Sequence, residues 1–340
     1  MDQRERYEEY LQDELDEQFS IYSVSHLLSK LSDYSRIISE NGIPGTLLFR
    51  GQSDIEFGIH GSIFRNGLLT KETTIVNELI LQEPLEFGNH MTDFEQLVKM
   101  QHYGLPTRLL DITTNPLIAL YFACSEHENR DGELILFIES LQRPTQKEVK
   151  LFSALAEYDG KSEGNFLDYF SRKGLGDDIS SSFEEKVERL KTQFQNKYVP
   201  VVAPKNNERI RRQNGAFLIL GIDISAPDYY LKNSFNLKDS LSEYVDEGIP
   251  RYLRIPAEQK SSILHELDMI GINEAFVYPE LGHQTSYIKK RHFEQGHRQA
   301  RPGAQGGQPL PQSPKIRRQA DAPDRHQRQA QTYAPAQRGQ

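Results

Sequence analysis

Residues 117–124 (LIALYFAC) are apolar nearly all the way round, and they follow Asn115-Pro116. Asn115 or Thr114 can cap a helix here, and Pro116 suits its first position, where a missing N–H costs nothing. A helix without a polar face has to be enclosed by other elements, so this one belongs at the centre of a core. The residues before it, Thr107-Arg108-Leu109-Leu110-Asp111-Ile112-Thr113, read as an extended segment leading into an Asx or Ser/Thr turn. Earlier still, Thr92 and Glu95 stand at capping-box spacing and open a helix near 91–103, which Gly104 and Pro106 close.

The remaining pattern adds elements without a βαβ alternation. Helices are predicted over 25–39, ended by Asn41-Gly42, and near 70–83. A further helix carries the stripe Ile263, Leu264, Leu267 and Ile270, with Gly271 as its C-cap. Strand-like runs lie at 46–49 leading into Arg50-Gly51-Gln52, and at 133–139, 199–203, 216–221, 251–255 and 274–278. The stretch 140–196 is charged and helical. The fold class is α+β: a single mixed α/β domain over 25–294 with a central, partly antiparallel sheet.

Both ends differ from this body. Over residues 1–24, Tyr7, Leu11, Leu15 and Phe19 recur every four residues among many acidic side chains, the pattern of an amphipathic acidic helix. Such a helix packs on the domain or engages a protein partner. Residues 295–340 are rich in Gln, Arg and Pro and poor in apolar side chains, a composition that predicts disorder. That tail has eight basic against two acidic residues, +6, so the whole-chain charge of −9 leaves −15 for the rest.

Several function classes are disfavoured on these grounds. An acidic body counts against duplex nucleic acid as a partner, since phosphate contacts need local positive charge. No run reaches the roughly 18 apolar residues of a membrane span, and the first residues lack a signal-peptide core. A single cysteine, Cys124, allows neither an internal disulfide nor a cysteine zinc site and suits the reducing cytoplasm. The histidines show no metal-ligand pairing, and neither a serine-nucleophile elbow nor a glycine-rich phosphate loop is present, so no metal is expected.

Two stretches carry the chemistry. Arg50, at the end of a strand and followed by Gly51, can grip an anion; it can equally serve an internal ion pair. In the second stretch, the amides beside Asn115 and the dipole of the following helix favour a nearby anion. Arg108 would add a second guanidinium, or else pair locally with Asp111. His102 would supply acid–base chemistry, or else only stabilise a helix C-terminus.

Four blocks taken together, Phe49-Arg50-Gly51-Gln52, HYGLPTRLLDITTNPLIALYFAC over 102–124, Arg211-Arg212-Gln213-Asn214-Gly215-Ala216-Phe217, and residues 272–281 (INEAFVYPEL), resemble the FRG-domain family, named for its aromatic-Arg-Gly motif. The resemblance covers roughly residues 25–290. It implies a bacterial or phage protein of toxin- or defence-type setting, while the arginines and the Asn115 amides themselves point to a phosphate-bearing ligand such as a nucleotide. On that reading Arg50, Gln52, Arg108, Asp111, Thr113, Asn115 and Arg212 bind the ligand, and Glu274 and His102 are catalytic. A sharper version is ADP-ribosyl transfer from NAD, with Arg50 on the cofactor and Glu274 polarising a ribose hydroxyl, although no Ser-Thr-Ser strand follows and no Glu-x-Glu surrounds Glu274. The contrasting version is a non-catalytic sensing or interaction module in which these residues fix the fold.

Overall fold

Strand β1 (Thr46–Gln52) runs directly beneath the helix that the sequence requires to be enclosed, α4 (Pro116–Cys124). The computed structural model describes residues 18–88, 91–159, 163–174, 182–205, 207–223, 234–246 and 248–299. It divides into two units, residues 1–291 and 292–340, and the sheet belongs to the first. Helices α1 (Val24–Glu40), α2 (Glu72–Gln82) and α3 (Asp93–His102) precede β2 (Leu109–Thr113) and α4. After β3 (Gly132–Glu139) come α5 (Lys147–Ala154), α6 (Glu163–Arg172) and α7 (Phe183–Phe194), then β4 (Tyr198–Val202), α8 (Glu208–Arg212) and β5 (Gly215–Leu220). The ribbon β6 (Tyr244–Asp246) and β7 (Ile249–Pro250) leads to β8 (Tyr252–Ile255), α9 (Ala257–Met269), the single turn α10 (Glu274–Val277) and α11 (Leu281–Gln299).

The sheet order is β4-β5-β2-β1-β3-β8, and every neighbouring pair is antiparallel. The sheet is thus antiparallel throughout rather than partly so. On one face, α1, α4 and α9 cover the β1-β3-β8 half through Phe49, Leu134, Leu136 and Leu253. On the other half of that face, Phe94, Phe152, Phe166, Phe170 and Phe194 from α3, α5, α6 and α7 pack on Val199, Val201, Phe217 and Ile219. The opposite face buries Leu48, Leu110, Ile112, Phe137 and Leu218 under Ile59, Ile63, Phe64 and Leu237.

Two glycines let α4 lie this close. A Cβ on Gly51 would stand 1.8 Å from the Ala119 carbonyl oxygen, and one on Gly132 would stand 2.3 Å from that of Ala123. The second residue of the aromatic-Arg-Gly pair after the aromatic, Gly51, is therefore set by helix-on-strand contact. Thr92 and Glu95 form the predicted capping box, and the Asn115 side chain accepts from the Leu117 N–H at 3.0 Å with Pro116 at the first helical position.

Two expectations are corrected. Residues 274–277 form a helical turn and not a strand, because Asn273 Oδ1 accepts from the Phe276 N–H and closes the turn locally. Ile270 does not complete the α9 stripe; it is the C-cap and 56% exposed, while Ile263 and Leu267 are buried. Most of the acidic 1–24 segment and of the 295–340 tail lie outside the described residues.

Candidate functional site

Strands β1 and β2 share one partnered pair, Phe49 with Thr113, whereas β1 pairs with β3 along its whole length from Thr46–Glu139 to Gln52–Glu133. Beyond Phe49 the two strands part like a fork. The Asp111 carbonyl, left without a strand partner on that side, accepts from Arg50 Nη1 at 2.8 Å. Buried Gln52 fixes the guanidinium from behind: its Oε1 accepts from Arg50 Nε at 3.3 Å while its Nε2 donates to the Phe57 carbonyl at 3.2 Å. Arg50 is half-buried and has no carboxylate within ion-pair distance among the described residues, and burial lowers its basicity.

A cavity of about 350 Å³ opens at this fork, lined by β1, β2, β5, α3, α4 and α8. That volume falls within the range usual for small-molecule sites. Its apolar wall includes Phe49, Ile112, Ile118, Phe122, Ile210 and Phe217; its polar groups are Arg50, Gln101, His102, Asp111, Thr113, Arg209 and Gln213. Asp111 stands in β2 opposite Phe217. Asp111 is exposed to solvent at the cavity mouth, and desolvation by the surrounding protein raises its pKa against the pull of Arg50 and Arg209. Asp111 Oδ1 accepts from Gln101 Nε2 at 2.9 Å, and Gln101 Oε1 in turn accepts from the Thr107 hydroxyl at 2.5 Å.

Arg209 is a cavity residue that the sequence analysis does not nominate. Its guanidinium lies 4.8 Å over the Tyr278 ring and has no carboxylate partner among the described residues. The available signal was the Asn207 cap, which donates helical phase to the stretch: Asn207 Oδ1 accepts from the Arg209 N–H at 2.7 Å, and Arg209 and Gln213 then share one face. His102, the last residue of α3, meets the Asn207 Nδ2 at 2.9 Å from Nδ1 at the cavity mouth.

The other sequence-nominated residues divide plainly. Thr113 lines the cavity, but its hydroxyl donates to the Gln213 carbonyl at 2.6 Å and accepts from the Asn115 N–H at 2.9 Å. The first amides of α4 are likewise taken: Leu117 by the Asn115 side chain, Ile118 and Ala119 by the Asn115 carbonyl. They offer no free donor to an anion, which corrects that expectation. Arg108 is fully buried away from the cavity, where Nε donates to Glu72 Oε1 at 2.9 Å, Nη2 to Glu72 Oε2, and Nη1 to the Leu220 carbonyl at 2.8 Å. It does not pair with Asp111. Arg212 is tied to Glu208 at 3.0 Å and to the Ala275 carbonyl at 3.2 Å, which holds α10 against α8.

Glu274 does not line the cavity. Partial burial would raise its pKa, but hydrogen bonds from Lys290 at 2.8 Å and His283 at 3.2 Å hold it below the usual carboxylate range. These are the partners of a structural carboxylate.

Residues 45–132 match the family described as FRG domain. The chain carries an FRG domain. The matched stretch runs from the residue before β1 to the first residue of β3, shorter than the 25–290 resemblance, and contains both arms of the fork and α4. Within the FRG domain lie Arg50, Gln101, His102 and Asp111, whereas the α8 and β5 wall with Arg209 comes from beyond it. No curated protein and no solved structure matches the chain. Among the described residues no helix is long and apolar enough to cross a membrane.

Proposed function

We propose that the cavity at the β1–β2 fork binds a small phosphate-bearing ligand, a nucleotide, and that this binding underlies a toxin- or defence-type effector role. The observation that carries the reading is the pair Arg50 and Arg209. Two guanidiniums border one cavity in a strongly acidic body, and neither is neutralised by a carboxylate at ion-pair distance. Arginine in that state is suited to phosphate, which it can meet with paired N–H donors. The apolar wall, with half-exposed Phe122, suits the flat base of a nucleotide. Thr113, Asn115, Arg108 and Arg212 are struts on this reading, and His102 and Asp111 are the groups that could take or give a proton.

NAD-dependent ADP-ribosyl transfer is the sharper version and rests on the resemblance; the pairing of Glu274 with Lys290 and His283 does not favour that residue as its catalytic glutamate. Incubation of the folded protein with labelled NAD tests it, and the absence of any released or transferred label removes it.

The binding reading is tested by titrating pyrophosphate and mononucleotides into the wild type and into Arg209→Ala. Because Arg209 makes no polar side-chain contact among the described residues, its loss should leave the fold intact. Affinity should fall about tenfold or more, the size of one charge-assisted contact. Equal binding by the variant, or none by the wild type, would falsify the proposal. The burial of Arg108 against Glu72 favours the non-catalytic version, in which residues of the FRG domain serve the fold.

A further inference from the structure

Resting on the binding reading above, the geometry points to the second half of the ligand: we infer that Asp111 Oδ2 receives an uncharged hydroxyl of a hydroxylated phosphate ester, the sugar of a nucleotide. Three observations lead there. Asp111 uses Oδ1 on Gln101 Nε2, no other side chain donates to its carboxylate among the described residues, and the residue lines the cavity while open to solvent. The Gln101 amide cannot turn away. Thr107 is buried, its hydroxyl donates to Gln101 Oε1, and that fixes Nε2 toward Asp111. Gln101 is therefore a positioning residue that occupies one carboxylate oxygen and leaves the other able to accept.

The charge around it selects the donor. Arg50 and Arg209 stand close enough to Asp111 for each to favour its ionised form. Two guanidiniums against one carboxylate leave the polar end of the cavity positive, which attracts phosphate and repels a ligand ammonium. The donor that a lone carboxylate can accept in such a field is a neutral one. A site that hydrogen-bonds a hydroxyl favours the ligand that carries it over the analogue that lacks it. Phosphate at the arginines and hydroxyl at Asp111 thus describe a phosphorylated sugar rather than a bare phosphate or a phosphorylated amine.

The test uses the full chain and three probes: ADP, its 2′,3′-dideoxy analogue, and pyrophosphate. ADP should bind the wild type about tenfold or more tightly than the dideoxy analogue, the size of a hydrogen bond to a charged acceptor. In Asp111→Ala that ratio should collapse toward one, while pyrophosphate should bind as well or better because a repelling charge has gone. Gln101→Leu should narrow the ratio, and an unchanged ratio would remove the positioning role of Gln101. Equal affinity of the wild type for ADP and the dideoxy analogue overturns this inference and leaves the phosphate site standing. Failure of all three probes to bind overturns the phosphate site and this inference together. The wild-type comparison needs no variant, so a misfolded Asp111→Ala does not shelter the inference.

Discussion

Replacing Gly51 by alanine perturbs the fold at the contact on which the cavity depends. The added Cβ would meet the Ala119 carbonyl oxygen at 1.8 Å, the Ala119 carbonyl carbon at 2.8 Å and the Ala123 nitrogen at 2.8 Å. All three are backbone atoms of α4, so no side-chain rotation can relieve the clash. Either α4 lifts from β1 or the strand bends away from β3. Overpacking costs about 1–3 kcal/mol where side chains can give way, and with helix backbone as the obstacle the upper end, about 3 kcal/mol or more, applies. For a domain of this size each kcal/mol lowers Tm by roughly 2–4 °C, so a fall of about 6–12 °C is expected. Thermal unfolding followed by circular dichroism measures it, with Gly282→Ala as the control. Gly282 lies in α11 with nothing within 4 Å of its Cβ position, so alanine there should raise stability slightly, by up to about 1 kcal/mol. A Gly51→Ala protein melting with the wild type would refute the close-approach explanation of the motif glycine.

Three further outcomes follow from named contacts. Arg108→Met should destabilise by about 3–5 kcal/mol, because Glu72 is left charged and buried, and Arg108→Met combined with Glu72→Leu should recover much of that loss in urea unfolding. If the double variant is worse than the single one, the pair is more than a buried strut. Lys260→Met should cost stability without touching ligand binding, since the buried ammonium donates to the carbonyls of Ser53, Glu126 and His127; unchanged stability would show that water replaces it. Asp54 is held below its ordinary pKa of 3.8, first by the Glu56 N–H and then by Arg130, despite the opposing effect of burial. A depressed folded-state pKa gives stability that is present above 3.8 and lost as the pH falls through the lower folded value. Asp54→Asn should therefore melt below the wild type at neutral pH, with the gap closing in acid; a gap independent of pH would contradict this.

How far the sequence reached depended on the range of the contact. Local chemistry was readable: the Thr92–Glu95 box, the Asn115-Pro116 start and the apolar α4 each occupy their expected places. So was the strand beneath α4, because residues 46–49 and 133–139 have no polar break. The 274–278 run misled because its β-branched and aromatic residues suggest a strand, whereas Asn273 and the contacts of α8 favour a turn of helix. Arg108 looked like a ligand residue because its partner, Glu72, is 36 residues away, and nothing in the local sequence signals a pairing at that distance. The Arg50 fork was half legible: strand end and glycine could be seen, the parting from β2 could not. For Arg209 the Asn207 cap signals only the local helical phase, and its place over Tyr278 needed tertiary structure, since it joins residues 69 positions apart in the chain.

The central claim concerns one place, the cavity between Arg50, Arg209 and Asp111. A crystal structure of the protein with ADP addresses it directly. The diphosphate should lie about 3 Å from both guanidiniums, with a ribose hydroxyl at similar distance from Asp111 Oδ2. A nucleotide seated elsewhere, with only water at the fork, would contradict it.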